Sequence, residues 1–188
     1  MPRTLLDRSD AVRALADVFR RRGFEAASLS VIQQETGMGR GSLYHFFPDG
    51  KADMARAVLG EVQSWFEDQV FTPLRTADDV AGAVSRMAGT VRDYFLSRQR
   101  VCLFAVTALG GELATHADAV RTYFSVWVDL LAQTLRRGGV EDRDAAALAL
   151  DAVAAIQGAL VLARALDEDA VVVGVVAGVE ERLLAAVS

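Results

Sequence analysis

One stretch of the sequence, residues 28–51, constrains the fold more than any other, because it predicts two short helices joined by a glycine turn. Ser28 or Ser30 can cap the first helix, since a serine hydroxyl accepts a hydrogen bond from the free N–H groups of a helix N-terminus. Gly37 suits the left-handed backbone that ends such a helix. With a second helix expected over residues 40–46, the stretch predicts a helical hairpin.

The polar residues of this hairpin are of the types that contact nucleic acid. Two such helices with a glycine turn are typical of a helix-turn-helix, whose second helix enters the major groove of DNA. Arginine pairs with guanine or phosphate, and short polar side chains donate to phosphates and base edges. The alternative is a hairpin whose polar residues are merely solvated. The predicted DNA-contacting residues are Ser28, Ser30, Arg40, Gly41, Ser42, Tyr44, His45 and Lys51.

The order of residues in this stretch resembles the DNA-binding domain of the TetR family of transcriptional repressors. The matching positions are Gly23-Phe24, Ser28-Leu29, Gly37, residues 41–47 and Lys51. The run FPDGK, residues 47–51, is similar to the LmrA/YxaF-like branch of that family. Two residues depart from the pattern: Gly39 replaces the usual Ser or Thr cap of the recognition helix, and Phe46 stands where His is common. The resemblance covers roughly residues 5–65.

The composition indicates an all-α protein without a metal site. The chain has 188 residues, is 52% hydrophobic and contains three prolines, which leaves little room for disordered linkers. The single cysteine, Cys102, excludes an internal disulfide and a cysteine-based zinc site. The two histidines have no ligand spacing, and we expect no cofactor.

The charge is distributed unevenly along the chain. Residues 1–56 carry nine Lys and Arg residues against seven Asp and Glu residues, although the whole chain has a net charge of −5. A mildly basic N-terminal part on an acidic body fits a protein that places one end on DNA.

The sequence also predicts a cytoplasmic protein without a membrane partner. No leader has the pattern of a signal peptide. The longest apolar run, residues 170–179, is shorter than the about 20 residues that span a bilayer.

The N-terminal part is predicted as one helix, followed by the helix-turn-helix and a connecting helix. Thr4 with Asp7 can cap the first helix, and Gly23 is expected to end it after three solvated arginines, residues 20–22. The connecting helix is expected over residues 51–70, with a break at residues 71–74. We therefore expect a DNA-binding domain at residues 1–50 and an effector-binding and dimerisation domain at residues 51–188.

The body is predicted to contain five helices, of which the last two are apolar around most of their circumference. A second subunit is the obvious cover for such helices, in a four-helix seam with two-fold symmetry. The alternative is that both are ordinary core helices of a monomer. The predicted dimer interface comprises Ala154, Ala155, Gly158, Val171, Gly174, Val175 and Gly178.

Large or soft side chains on three adjacent predicted helices are candidates for an effector pocket. Such a lining suits a small, largely apolar or aromatic molecule, while the alternative is a plain hydrophobic core. The family resemblance implies an effector of some kind. The predicted pocket residues are Met87, Tyr94, Phe95, Cys102, Phe104, Tyr123, Phe124 and Trp127.

Together these features predict a homodimeric, TetR-like repressor that binds a palindromic double-stranded DNA operator and is released by a small effector. A small helical enzyme is disfavoured, since no Ser/His/Asp set, Cys/His set or phosphate-binding glycine loop occurs. A helical ligand-binding or adaptor protein with a degenerate DNA-binding head remains the alternative.

Overall fold

The computed structural model describes residues 7–111 and 113–187, and this part of the chain contains α-helices and no β-strand, as the sequence predicts. The ten helices are α1 (Arg8–Ala26), α2 (Leu29–Thr36), α3 (Arg40–Phe46), α4 (Lys51–Phe66), α5 (Thr72–Thr76), α6 (Val80–Ser97), α7 (Leu103–Leu109), α8 (Leu113–Arg137), α9 (Asp142–Leu166) and α10 (Asp169–Ala186).

The first helix begins as predicted at its cap and continues beyond its predicted end. The Asp7 carboxylate accepts a 2.8 Å hydrogen bond from the Asp10 N–H, whereas Thr4 lies outside the described residues. Gly23 has a φ of 76°, so it kinks α1, and the chain resumes a helical path to Ala26. The prediction that the helix ends at Gly23 is therefore wrong by three residues, because a single left-handed glycine bends a helix without preventing its resumption.

The expected break at residues 71–74 does not occur. A π-helical turn, Glu67–Phe71, follows α4 directly and leads into α5. Pro73 lies in the first turn of α5, where its missing N–H costs no intrahelical hydrogen bond. The helical path therefore runs from Lys51 to Thr76, and the chain leaves it only at Ala77.

The five helices of the body, α6 to α10, lie close to their predicted positions. Helix α8 begins at Leu113, earlier than a start at Thr115 would place it, and it is kinked at His116. Helices α9 and α10 pack against each other, with α8 on one side and α6 on the other.

One hydrophobic core runs from the N-terminal helices into the body. Leu15 and Phe19 of α1 belong to the same cluster as Phe66 of α4 and Trp127 of α8. The ring of Phe66 lies 5.1 Å from that of Tyr123 and 5.4 Å from that of Trp127. A change in the body that moves α4 is thus transmitted through packed side chains to the helices in front of it.

A candidate DNA-binding surface and the body behind it

The turn of the helix-turn-helix is built by local hydrogen bonds. Ser28 is the N-cap of α2 and accepts from the Val31 N–H at 3.3 Å. Gly37 has a φ of 69°, and its N–H donates to the Gln33 carbonyl at 2.9 Å, which ends α2. Thr36 Oγ1 then accepts from the Met38 N–H at 3.3 Å. These contacts fix the direction in which α3 leaves the turn.

The buried and exposed sides of α3 are cleanly separated. Leu43 and Phe47 are fully buried, and Phe46 is half-buried rather than facing fully inward as predicted. The opposite side of the helix is solvent-exposed. It carries Arg40, Gly41, Ser42, Tyr44 and His45, all five of the DNA contacts predicted on this helix. Gly39 is the N-cap of α3 and supplies no side-chain cap, as expected from its departure from the family pattern.

Tyr44 is held in place at the edge of this surface. The Arg40 guanidinium lies 5.6 Å from the centroid of its ring, a cation–π distance. Its ring also covers Gly50, where an added Cβ would lie 3.8 Å from Cε1 of Tyr44. Gly50 has a φ of 67°, so the turn into α4 also favours glycine there.

Lys51 has a structural contact that its position in the sequence did not suggest. Its side chain is half-buried, and Nζ donates to the Glu25 carbonyl oxygen at 3.2 Å. The ammonium group therefore satisfies a carbonyl at the C-terminal end of α1, where cations are favoured. The predicted contact of Lys51 with DNA stays a prediction, since this hydrogen bond uses one of its three donors.

The arginines at the end of α1 form a brace to α2, contrary to the expectation of three solvated side chains. Glu35 of α2 accepts from Arg21 at 2.7 Å and from Arg22 at 2.7 Å. The Arg21 hydrogen bond, followed by that from Arg22, holds the pKa of the Glu35 carboxyl below its ordinary value. Arg20 is buried, with only 5% of its surface exposed.

A contact between the head and the body was missed by sequence reasoning. The Glu25 carboxylate accepts from the Gly111 N–H at 2.7 Å, across 86 residues of sequence. Because Lys51 donates to the backbone carbonyl of the same residue, Glu25 joins the end of α1, the start of α4 and the α7–α8 loop. No local pattern signals such a contact, since it depends on tertiary packing.

The sequence matches two family models. Residues 11–58 match "Bacterial regulatory proteins, tetR family", and residues 77–175 match "Transcriptional regulator LmrA/YxaF-like, C-terminal domain". The chain belongs to the LmrA/YxaF-like branch of the TetR family. It is thus a DNA-binding transcriptional regulator with a helix-turn-helix, as its sequence predicts.

Two relatives from the curated proteins are similar over most of their length. The uncharacterized regulator YxaF of Bacillus subtilis is 24% identical over 82% of this chain and 83% of its own. The uncharacterized regulator Rv0196 of Mycobacterium tuberculosis is 27% identical over 84% of each chain.

Solved TetR-family structures share the fold. A TetR regulator of Legionella pneumophila superposes with a TM-score of 0.80 at 17% identity, over 96% of this chain and 99% of that one. The regulator CifR, in complex with a 26-base-pair operator, has a TM-score of 0.75 at 25% identity over 98% of this chain and 97% of its own.

In this TetR-family regulator the predicted pocket residues lie mainly in the packed core of the body. Phe104 and Tyr123 stack with ring centroids 4.1 Å apart, and Phe124, which is half-buried, lies edge-on to Tyr123 at 5.0 Å. The other predicted members are buried: Met87, Tyr94, Phe95, Cys102 and Trp127. That these residues bind an effector stays a prediction.

A groove of about 390 Å³ lies beside this core, between α4 and α8. Leu59 and Gly60 of α4 face Ala119 and Thr122 of α8, with Phe104 at the base. The volume lies within the range of small-molecule sites, about 300–1,000 Å³. Phe104 is the one predicted pocket residue in the lining of this groove.

A few polar atoms within the core have no hydrogen-bond partner in the described part of the chain. They include the Tyr123 hydroxyl and both amide atoms of Gln157, which lie near Cys102. Burial raises the pKa of the Cys102 thiol to about 11, so the cysteine is a neutral thiol at physiological pH. Unpaired buried polar atoms are uncommon and suggest a site for water or a ligand.

The predicted dimer residues lie on a continuous face of α9 and α10. Ala154, Gly158 and Gly174 are exposed, and Ala155, Val171, Val175 and Gly178 are half-buried. Around them lie large exposed apolar side chains, among them Leu150, Val161, Leu162, Leu166 and Val173. Residues 150, 154, 158 and 161 recur at helical spacing, so they form one stripe.

Helix α9 is long and apolar enough, by length and composition alone, to cross a membrane, and among the described residues no other helix meets that test. The expectation of no spanning segment considered only residues 170–179, which lie in α10. Core helices of soluble proteins pass the same test, but only 39% of the apolar window of α9 is buried within the chain. The exposed face therefore needs a cover.

Proposed function

We propose that this regulator is a homodimeric repressor that binds a palindromic operator through two copies of α3 and is released by a small molecule bound in its body. The exposed side of α3 carries this proposal: Arg40, Ser42, Tyr44 and His45 project from a helix whose other side is anchored by Leu43 and Phe47. These are the donors that read base edges and bind phosphates.

Dimerisation through α9 and α10 supplies what one head lacks. A single helix-turn-helix makes few base contacts, whereas two heads about 34–36 Å apart read successive major-groove faces of a palindrome. The exposed apolar stripe of α9 supports this interface, because it would otherwise face water. With this cover the protein is cytoplasmic and has no membrane partner.

The groove between α4 and α8 is the place from which an effector could act on the heads. Leu59 and Gly60, which line it, belong to the helix that follows the DNA-binding domain directly. We place the boundary between the DNA-binding and effector domains at residue 50 for this reason. A ligand shifts the position of the heads only as far as its affinities for the two states differ, and about 5.5 kcal/mol moves a ratio of 1:99 to 99:1.

Binding to double-stranded DNA flanking the gene of this protein tests the proposal. The wild type is expected to form a complex that resists excess competitor DNA at moderate salt. An Arg40→Ala/Tyr44→Ala variant should bind about 10- to 100-fold more weakly, since each good base contact contributes about 1–3 kcal/mol. Both side chains are exposed, so the variant should remain folded. The control, Arg121→Ala, removes a cation that is exposed on α8 and should bind as the wild type does.

A helical ligand-binding protein with a degenerate head is the second candidate. The uncapped start of α3 at Gly39 and the apolar Phe46 favour it, because both depart from the family pattern. Equal affinity for flanking and unrelated DNA in the wild type, with no loss in the α3 variant, would favour this candidate over the repressor. In neither case do we expect an enzyme.

A further inference from the structure

A second cleft lies where α1 of the head meets α4 and α6, separate from the groove between α4 and α8. Its volume is about 130 Å³, and its lining includes Arg20 of α1, Trp65 of α4, Tyr94 of α6 and Arg98 just beyond α6. The cleft thus touches the DNA-binding head, the connecting helix and the body at once.

One wall of the cleft is aromatic. The rings of Trp65 and Tyr94 lie 4.2 Å apart with a tilt of 33°. The Arg98 guanidinium lies 5.8 Å from the centroid of the Tyr94 ring. A flat apolar group could therefore pack on this wall with a cation at its edge, an arrangement that cation–π and stacking contacts favour.

Arg20 is the unusual residue of the cleft. It is 5% exposed, and one of its terminal nitrogens donates to Asp17 at 3.0 Å. Its Nε is buried and has no hydrogen-bond partner within the described residues. A buried guanidinium with an unused donor is costly, and such a group often marks a ligand or water position.

The charges that line the cleft favour an anion by a small margin. Three arginines, which include Arg13, face two carboxylates, those of Asp17 and Glu61. The Asp17 carboxylate is already paired with Arg20, and Arg13 is paired with Asp10. Arg98 has no carboxylate partner among the described ion pairs, so it is available to a ligand.

We propose that this cleft binds a small aromatic carboxylate, whose carboxylate group pairs with Arg20 and Arg98 and whose ring packs on Trp65 and Tyr94. The size fits, because an apolar cavity of about 150 Å³ holds benzene and this cleft is open on one side. Given the proposed function, a ligand here would also bias the position of the heads, since it contacts both the head and the body.

Calorimetric titration of the full-length protein with benzoate and with neutral benzamide tests this site without DNA. Benzoate is expected to bind once per chain with a Kd of about 1 mM or tighter, and benzamide about tenfold more weakly. Arg98→Gln should weaken benzoate binding about tenfold, because it removes one charge-assisted hydrogen bond. Arg92→Gln, an exposed arginine of α6 that does not line the cleft, should leave it unchanged.

Equal binding of benzoate and benzamide, no effect of Arg98→Gln, or no heat of binding with benzoate would each overturn the proposal. Arg98 is exposed, so its replacement keeps the test valid even where an Arg20 variant fails to fold. The titration contains no DNA, so its result is independent of whether the repressor proposal holds. Adding benzoate to the operator-binding assay then measures the coupling to the heads separately.

Discussion

Replacing Val161 by glutamate should dissociate the dimer without unfolding the subunit. Val161 lies in the middle of the exposed stripe of α9 and is 64% exposed in the single chain. Complete burial of a valine stabilises by about 1.5 kcal/mol, so covering this exposed fraction contributes roughly 1 kcal/mol in each subunit. Two-fold symmetry doubles the effect to about 2 kcal/mol, which corresponds to about a 30-fold weaker dimer.

The true loss should exceed this value, because two carboxylates would enter an apolar interface and charge burial is costly. Sedimentation velocity over a range of concentrations gives the dissociation constant directly. The matched control is Leu109→Glu, since Leu109 is 87% exposed on α7 and lies off the stripe. A Val161→Glu protein that dimerises as tightly as the wild type, or a wild type that is monomeric at high micromolar concentration, would refute the assignment of this face.

Three further outcomes follow from the structure. Gly37→Ala should lower stability by about 1–2 kcal/mol in thermal unfolding because its φ is 69°, whereas Gly60→Ala, in open helical space on α4, should raise it by about 0.5–1 kcal/mol. Glu35→Gln should destabilise the head at neutral pH. The difference from the wild type should disappear as pH falls through the lowered pKa of Glu35, since protonation then removes its pairing with the arginines in both states that matter. Cys102 should react with a thiol reagent at pH 8 only after unfolding, because burial raises its pKa to about 11.

The sequence predicts the parts of this molecule that depend on local signals. The Ser28 cap, the left-handed Gly37 and the separated faces of α3 all arise within a few residues of chain, and the structure has each of them. The apolar faces of α9 and α10 are visible for the same reason, since helical periodicity places their residues on one side.

The sequence fails where contacts between distant segments decide the outcome. Arg20 was expected to be solvated, but the packing of α1 against α4 and α6 buries it. The contact of Glu25 with Gly111 spans 86 residues, so no local pattern could show it. Pro73 predicted a break because proline disrupts helix interiors, but here it lies in the first turn of a helix.

Periodicity also separates buried from exposed residues without showing where the space between them lies. The aromatic residues of the body were correctly expected to be buried or half-buried. The groove beside them depends instead on small residues such as Gly60 and Ala119, whose importance appears only once α4 and α8 are in position.

A footprint of the protein on an operator selected from random double-stranded DNA tests the central claim most directly. The account predicts a palindromic site, with two protected major-groove faces centred about one helical turn, roughly 34–36 Å, apart on one side of the duplex. The Arg40→Ala/Tyr44→Ala variant should lose both. A selection that yields no preferred sequence, or a protected region without two-fold symmetry, would contradict the account.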